Sequence, residues 1–315
     1  MARALVIEKP GPPEVMRLAD VASRPLAGSE VRVAVEAAGV NAVDAGNRSD
    51  AAWAGVVAPY VVGYEFAGRV EELGEQVDDL QVGDAVWGLL PVRGTRWGAY
   101  ADEVVADASF VAVRPQALEP AEAGALPLAG ATALQLLDRL DPAPGEWILV
   151  HGAAGGVGHL FVQLAHARGA RVAAPASAAR HELLSRLGVA LIVDRHQPGA
   201  IAAARERAGT DFAMVADLVG QGRLVASLEV MAEGARAGSI VQLEGDFDEA
   251  VDRNITLHGV LVRPGRTALD ALAARIAAGE ARPVLDEVVG LEDARRAHER
   301  VETGSGQGKV VLSLR

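Results

Sequence analysis

Cysteine is absent from the 315 residues of the sequence, which excludes disulfide scaffolds, thiolate metal sites, redox dithiols and cysteine nucleophiles. Lysine is nearly absent as well, because Lys9 and Lys309 are the only two and arginine supplies the remaining basic charge. No uninterrupted apolar run approaches the roughly 20 residues of a membrane-spanning helix. The first residues lack the apolar segment of a signal peptide, so we expect a soluble, cytoplasmic protein without a membrane partner.

Acidic residues outnumber basic ones, 42 against 30, which gives a formal net charge of −12. This balance disfavours nucleic acid and anionic membranes as partners. Hydrophobic residues make up 50% of the chain, and its length predicts about two domains, each with its own core. The sequence has no H-E-x-x-H motif, serine elbow or carboxylate cluster, so we predict neither a metal site nor acyl-transfer chemistry.

The first 120 or so residues predict a compact sheet or barrel, because short β-rich runs alternate with glycine and proline turns. The predicted strands are residues 3–8, 31–37, 65–72, 85–88, 99–105 and 110–113. Residues 121–140 carry apolar side chains at helical spacing, although Pro127 interrupts the first turns.

From Glu146 onward the pattern alternates between strand and helix, which is typical of a doubly wound parallel sheet with right-handed crossovers. The predicted strands are residues 147–150, 171–174, 191–193, 212–218, 239–243, 255–262 and 310–314. The predicted helices are residues 157–168, 180–187, 199–208, 221–232, 267–278 and 291–302.

The most informative segment runs from Gly152 to Gly158, where a buried strand turns directly into an amphipathic helix through small residues. Such a turn suits a dinucleotide, because Gly155 lets the backbone approach the pyrophosphate and Gly158 lets helix and strand pack closely. Ala153 stands where the pattern usually has its first glycine. The alternative is a tight turn with no nucleotide. The predicted cofactor-binding residues here are Ala153, Ala154, Gly155, Gly156 and Val157.

The end of the next strand distinguishes the two nicotinamide dinucleotides. An NAD site usually carries an acidic residue about 20 positions downstream of the glycine turn, but residues 171–180 contain no carboxylate. Ser177 and Arg180 are suited instead to a 2′-phosphate, through charge-assisted hydrogen bonds. We therefore predict NADP(H). The alternative interpretation makes Ser177 a helix cap and Arg180 a solvated side chain.

The chain resembles the medium-chain dehydrogenase/reductase superfamily, in its zinc-independent quinone oxidoreductase (zeta-crystallin-like) branch. The similar segments follow the family's order along nearly the whole chain and are residues 38–44, 63–70, 82–88, 98–101, 145–163 and 308–312. The resemblance implies an α/β protein with a GroES-like β-barrel catalytic domain, residues 1–122 and 253–315. A doubly wound, parallel-sheet Rossmann domain that binds NADP(H), residues 123–252, is inserted between them, with the active site in the cleft.

The resemblance further implies that a homodimer transfers hydride from NADPH to a small electrophilic acceptor, a quinone or a conjugated enone. Asn41 and Tyr64 stand where zinc-dependent relatives carry ligands, so no catalytic zinc is expected and oxidation of simple alcohols is disfavoured. One alternative is an enoyl-thioester reductase of a biosynthetic pathway, whose carrier arm would meet Arg48, Arg93 or Arg96. The other alternative is a family member that binds NADPH without catalysis.

By the same resemblance, Asn41 binds the nicotinamide ribose, Thr132 faces the nicotinamide, and the loops at Gly220 and Gly245 pass near it. Asn41 is thus predicted in a catalytic and a cofactor-binding role; its alternative is a turn residue that closes a loop. Glu65 is predicted to be a buried, paired carboxylate rather than a base.

Two positions depart from the family pattern. Gly46 stands where relatives often carry a tyrosine acid, which leaves Tyr64, the predicted catalytic residue, with Tyr60 and solvent as the other candidate proton donors. Arg195 stands where relatives often place a tyrosine near the cofactor, and we predict that it contacts the 2′-phosphate. Its alternative is an ion pair with Asp194.

Overall fold

The computed structural model describes residues 1–314, which form fifteen strands and ten α-helices. The strands are β1 Ala2–Ile7, β2 Met16–Val21, β3 Glu30–Val40, β4 Glu65–Leu73, β5 Ala85–Leu89, β6 Glu103–Asp107, β7 Val111–Val113, β8 Trp147–His151, β9 Arg171–Ala176, β10 Leu191–Asp194, β11 Phe212–Asp217, β12 Met231–Ser239, β13 Thr256–Gly259, β14 Leu285–Gly290 and β15 Lys309–Ser313. The helices are α1 Ala42–Ser49, α2 Ala51–Ala54, α3 Pro120–Gly124, α4 Pro127–Leu140, α5 Gly158–Ala167, α6 His181–Arg186, α7 Ala200–Ala208, α8 Asp248–Asp252, α9 Arg266–Ala277 and α10 Ala294–Glu302.

The chain divides into two compact units. The first contains residues up to Ala131, then Arg263–Ala278 and the segment from Pro283 onward. Its main sheet has seven strands in the order β14-β15-β3-β4-β5-β7, with β6 also paired to β3, and β1 and β2 form a separate hairpin. Strand pairs in this sheet are antiparallel except for β14 with β15. Since β15 pairs with β3, the last strand completes a sheet begun at the opposite end of the sequence.

The second unit contains Thr132–Val262 and Gly279–Arg282. Its six strands are all parallel in the order β10-β9-β8-β11-β12-β13. All five residues of β8 are buried, as expected for a central strand covered on both faces. The parallel sheet and the mainly antiparallel sheet together confirm the predicted fold class.

Two predicted elements of the second unit are wrong. Residues 221–232 do not form an α-helix but contain a short 3₁₀ helix at Val225–Val230, and the strand predicted at 239–243 lies at Met231–Ser239. This strand is rich in alanine and glycine, which have low strand propensity, so the sequence pattern does not reveal it. A Cβ on Gly238 would lie 2.4 Å from a methyl of Leu136, so α4 packs on β12 only because that residue is glycine.

The unit boundaries differ from the predicted ones. The predicted boundaries fall after residues 122 and 252, whereas the structure places them after Ala131 and Val262. The second difference arises because β13 pairs with β12 and therefore belongs to the parallel sheet. Proline also divides the predicted helix 121–140 into two, since Pro127 is the first residue of α4, where its missing N–H costs nothing.

Candidate functional site

The glycine turn between β8 and α5 is a tight strand-to-helix connection that depends on two of its glycines. Gly152 has φ +79°, a left-handed conformation that favours glycine, and it opens the turn directly after the strand. A Cβ on Gly158 would lie 2.0 Å from the carbonyl oxygen of Gly152, so only glycine permits this close approach of helix and strand. The motif usually has its first glycine at the position of Ala153. In this structure Gly152, one residue earlier, adopts the left-handed turn conformation instead.

The surface of this turn is open to a ligand. Gly155, Gly156 and Val157 are partly exposed, whereas Ala153 and Ala154 are buried. The N–H groups of His159 and Phe161 donate to the carbonyls of Gly155 and Val157. The dipole of α5 places partial positive charge at this end of the helix. Binding of a pyrophosphate by these residues remains a prediction.

The loop after β11 packs against the glycine turn. Asp217 accepts hydrogen bonds at Oδ1 from the backbone N–H groups of Val219 and Gly220, both at 2.9 Å. A Cβ built on Gly152 would lie 2.8 Å from a methyl of Val219, so the two loops are in direct contact. The structure thus brings the predicted position Gly220 together with the glycine turn.

The other two predicted nicotinamide-end positions lie elsewhere in the second unit. Gly245 has φ +110°, and a Cβ there would lie 3.0 Å from a methyl of Val225. Thr132 is 5% exposed within α4.

His151 anchors the end of β8, a role that the sequence did not reveal. Its Nε2 lies 2.7 Å from Oγ of Ser227, and both side chains are buried. Burial lowers the pKa of His151 to about 4, although the charge of Asp217 acts in the opposite direction. The imidazole is therefore neutral near pH 7 and ties the 3₁₀ helix to the strand below the glycine turn. The available signal was that His151 directly follows one predicted strand and that Asp217 lies next to the end of another.

The ends of β9 and β10 place the predicted 2′-phosphate residues on one edge of the sheet. Ser177 follows β9 directly and makes no side-chain capping hydrogen bond to the 3₁₀ turn Ala178–Arg180. The backbone N–H of Arg195 donates to the carbonyl of Ala176 at 3.1 Å, which fixes the two strand ends side by side. Arg195 therefore lies beside the strand end that leads into Ser177, and Arg180 follows three residues later.

Arg195 does not form the alternative ion pair with Asp194 in the described part of the chain. Its Nε instead lies 3.3 Å from Nε2 of His196, while Oδ1 of Asp194 accepts a hydrogen bond from the His196 backbone.

Asn41, in the first unit, belongs to a buried polar cluster. Its side-chain Nδ2 donates to Oε1 of Glu65 at 2.8 Å, and its Oδ1 accepts from Nζ of Lys309. Its backbone N–H donates to Asp44 at 2.7 Å at the start of α1. Asn41 is thus a helix N-terminal residue, as the turn alternative required, and its amide is also held in a fixed orientation. Its ribose contact remains a prediction.

Glu65 is fully buried and confirms the prediction of a paired carboxylate. Its Oε1 accepts from Lys309 at 2.6 Å, and its Oε2 accepts from the backbone N–H of Leu128 at 2.7 Å. Sequence reasoning missed Lys309, which is 2% exposed. The signal was a lysine directly before the predicted strand 310–314, in a chain with only two lysines.

Asp44 extends this cluster, and burial raises its pKa to about 7. Its Oδ1 accepts from the backbone N–H of Gly63 at 3.1 Å, which ties α1 to the segment before β4. Burial, with the nearby charges of Asp44 and Glu65, raises the pKa of Tyr100 well above its usual value. The carboxyl of Asp44 therefore titrates near neutral pH, whereas the phenol of Tyr100 stays protonated there.

The two candidate phenols are both buried. The hydroxyl of Tyr64 accepts a hydrogen bond from Asn47 at 2.6 Å, and burial raises the pKa of Tyr64. Tyr60 donates to the backbone carbonyl of Asn47 at 2.9 Å, so its proton is engaged in holding α1. Gly46 is exposed, and a Cβ there would meet nothing within 4 Å. The missing tyrosine side chain thus leaves open space.

The prediction that Arg48 contacts a carrier arm is wrong. Arg48 is 2% exposed, forms an ion pair with Glu302 at 2.8 Å and donates to the carbonyl of Gly11 at 3.0 Å. The helical periodicity of α1 places Arg48 on the buried face of the helix, which packs against α10. Arg93 and Arg96 are exposed, as the same prediction requires of them.

Within residues 1–314, no three histidine, aspartate or glutamate side chains are grouped so as to hold a metal ion. No helix in that part of the chain combines the length and apolar character needed to cross a bilayer.

Comparison with known proteins identifies relatives along the whole chain. Residues 27–116 match the alcohol dehydrogenase GroES-like domain, and residues 187–312 match the zinc-binding dehydrogenase family. The chain is 30% identical to a quinone oxidoreductase of Sus scrofa, covering 99% of this chain and 97% of that protein. It is 35% identical to a 2-methylene-furan-3-one reductase of Solanum lycopersicum over 81% of this chain, but spans only 63% of that relative's length.

A solved structure has the same fold. The quinone oxidoreductase of Coxiella burnetii superposes with a TM-score of 0.92 at 29% identity, covering 100% of this chain and 99% of that one.

Proposed function

Because the chain belongs to the quinone oxidoreductase family of the medium-chain dehydrogenase/reductase superfamily, we propose that it is an NADPH-dependent reductase of quinones or conjugated enones. The observation that carries this proposal is the glycine turn from Gly152 to Gly158, whose open backbone fits a pyrophosphate. A nicotinamide cofactor, when bound, supplies the hydride. The residues of the chain bind and orient the cofactor and exclude water from it.

The choice of NADPH over NADH is supported by the strand ends of β9 and β10. The end of β9 carries no carboxylate to bind a ribose 2′-hydroxyl. Ser177 has a hydroxyl not used in capping, and Arg195 lies beside this strand end. Arg180 follows in the same turn. We propose that these three side chains bind the 2′-phosphate, the arginines by charge-assisted hydrogen bonds.

We expect Arg180→Ala to weaken NADPH binding by roughly tenfold to a hundredfold, the effect of losing one charge-assisted hydrogen bond, and to leave NADH binding nearly unchanged. Calorimetric titration with each cofactor measures both values. Arg186→Ala is the matched control, because Arg186 is exposed on α6 and pairs with Glu182 at 3.7 Å. Equal weakening of NADPH and NADH would refute the assignment of Arg180.

We propose that the reaction needs no zinc. The chain has no thiolate, and the amide of Asn41 is already bound to Glu65 and Lys309. We expect a quinone and an enone to oxidise NADPH in an absorbance assay, with undiminished rates after treatment with a chelator. Faster turnover of an enoyl thioester would favour the biosynthetic alternative, and tight NADPH binding without turnover of any acceptor would favour the non-catalytic one.

Tyr64 is the proposed proton donor, with Asn41 holding the nicotinamide ribose. The raised pKa of Tyr64 keeps its phenol protonated at neutral pH. If Tyr64 donates the proton, Tyr64→Phe should lower kcat by about a hundredfold or more with little change in NADPH affinity. An unchanged kcat would show that solvent supplies the proton.

A further inference from the structure

The first unit contains a cavity of about 490 Å³ that none of the predicted catalytic or cofactor-binding residues lines. It lies beside the β1–β2 hairpin, the segment Leu90–Gly98 and strand β6. Its volume is within the range of roughly 300–1,000 Å³ typical of small-molecule sites. Most of its lining is apolar, with side chains that include Ala4, Val61, Leu90, Trp97, Val104 and Phe110.

Two arginines at the cavity are held in place by their neighbours. Nε of Arg93 donates to the carbonyl of Trp53 at 2.9 Å, and its guanidinium lies 4.9 Å from the centre of that indole ring. Nε of Arg96 donates to the carbonyl of Pro59 at 2.9 Å, and its guanidinium lies 5.2 Å from the ring of Trp97. Each guanidinium is therefore oriented through Nε. Among residues 1–314, its two terminal nitrogens remain for another acceptor.

The positive charge of these two arginines is not neutralised by the protein. Across residues 1–314, neither Arg93 nor Arg96 has a carboxylate within ion-pair distance. The other charged residues of the lining are neutralised: Arg24 pairs with Glu30 at 2.6 Å, and Glu103 pairs with Arg32 at 2.8 Å. Two uncompensated cations thus border an apolar cavity in a chain whose net charge is −12.

We propose that this cavity binds a small amphipathic carboxylate, with the apolar body in the cavity and the carboxylate on Arg93 and Arg96. Guanidinium groups suit this role because their paired N–H donors match the two oxygens of a carboxylate. The apolar lining accepts a hydrocarbon body and disfavours an ion without one. This site does not depend on the proposed reductase activity.

Calorimetric titration with decanoate tests the proposal, with the change in intrinsic tryptophan fluorescence as a second readout. We expect decanoate to bind more tightly than decanol or decyltrimethylammonium. Arg93→Gln and Arg96→Gln should each weaken decanoate by about fivefold, the scale of an exposed ion pair. The matched control, Arg186→Gln, should leave binding unchanged. Equal binding of the three amphiphiles, or an effect of Arg186→Gln equal to that of the cavity variants, would overturn the proposal.

A second variant tests the cavity itself. Ala22 is exposed at the cavity's edge, so Ala22→Trp should fold normally and fill part of the space. We expect it to abolish decanoate binding and to leave NADPH binding unchanged. Decanoate binding as tight as that of the unmodified protein would show that decanoate does not occupy the cavity. Because NADPH binding is measured in the same samples, failure of this proposal and failure of the cofactor proposal are distinguishable.

Discussion

At the scale of single residues, the buried contact between Lys309 and Glu65 dominates the polar interior of the first unit. Both side chains are almost completely buried, so each charge depends on the other for compensation. Removing one partner of such a pair leaves an uncompensated charge in the interior. This lowers the free energy of unfolding by much more than the intact pair contributes to it.

We expect Lys309→Met to lower the free energy of unfolding by about 3–5 kcal/mol, measured by urea denaturation at neutral pH. The control is Lys9→Met, which removes the other lysine from an exposed position and should change stability by less than about 0.5 kcal/mol. Adding Glu65→Gln to Lys309→Met should restore part of the loss. Similar stabilities for the two lysine variants would contradict the assigned role of the pair.

The sequence patterns identified some members of the buried polar cluster around Glu65. They did not identify which of these residues contact one another. The burial of Glu65 could be predicted from its place in a β-rich run, and Asn41 from its motif. Lys309 and Asn41 are 268 positions apart, and local periodicity contains no information about which distant strands become neighbours. The inward direction of Arg48 could not be predicted for the same reason, because it depends on where α10 packs.

At the scale of elements, glycine has two different roles in the β8–α5 turn. Gly158 permits close packing, and Gly155 is proposed to admit the phosphate. Gly158→Ala should destabilise the protein by about 1–3 kcal/mol or more, because the new Cβ would meet backbone at 2.0 Å. A Cβ on Gly155 would lie 3.3 Å from the carbonyl oxygen of Gly152, so Gly155→Ala should lose less stability than Gly158→Ala while weakening NADPH binding at least tenfold by obstructing the phosphate. Thermal unfolding and NADPH titration of both variants give the comparison; a Gly158→Ala protein of normal stability would contradict this geometry.

The contact between α1 and α10 predicts a pH dependence. Nδ1 of His298 lies 3.1 Å from Nη1 of Arg48, and burial lowers the pKa of His298 to about 3. An unfolded histidine has a pKa of about 6.5, so the unfolded state takes up the proton first as the pH falls. The stability that neutral His298 contributes is therefore complete above pH 6.5 and is lost progressively down to about pH 3.

His298→Asn keeps a hydrogen-bond acceptor for Arg48 and removes the titration. We expect the stability difference between the unmodified protein and this variant to narrow by about 2 kcal/mol between pH 7 and pH 5. Only the difference is informative, since the raised pKa of Asp44 makes stability increase as the pH falls over the same interval. Urea denaturation at the two pH values measures it, and a constant difference would argue against a neutral buried imidazole.

At the scale of the whole molecule, the sequence predicted the parallel sheet better than it predicted the return of the chain to the first sheet. Strand–helix alternation is a local signal, and the strands β8 to β11 follow it closely. The pairing of β15 with β3 has no local signal, and only the family resemblance suggested it. Strand β12 was missed for the same reason. Its residues are small because α4 packs closely on it, and this packing cannot be read from the local sequence.

The homodimer remains a prediction at this scale. Strand β13 is the edge of the six-stranded sheet, and Leu261 just after it is 52% exposed. The backbone N–H and C=O groups on the outer side of an edge strand can pair with a strand of a second chain, and an exposed apolar side chain beside them can add to the interface. We expect light scattering to give a mass of about twice 32.6 kDa and Leu261→Asp to shift it towards the monomer. A monomeric unmodified protein would refute the prediction.

The scarcity of lysine has a practical consequence for biophysical work. Since Lys309 is enclosed by carboxylate and amide oxygens, Lys9 is the one lysine whose amine is accessible to reagents in the native state. An amine-reactive fluorophore should therefore attach to side chains at a single position near the β1–β2 hairpin. Labelling at Lys309 would become appreciable only when the barrel opens, so its rate would report the opening of the native structure directly.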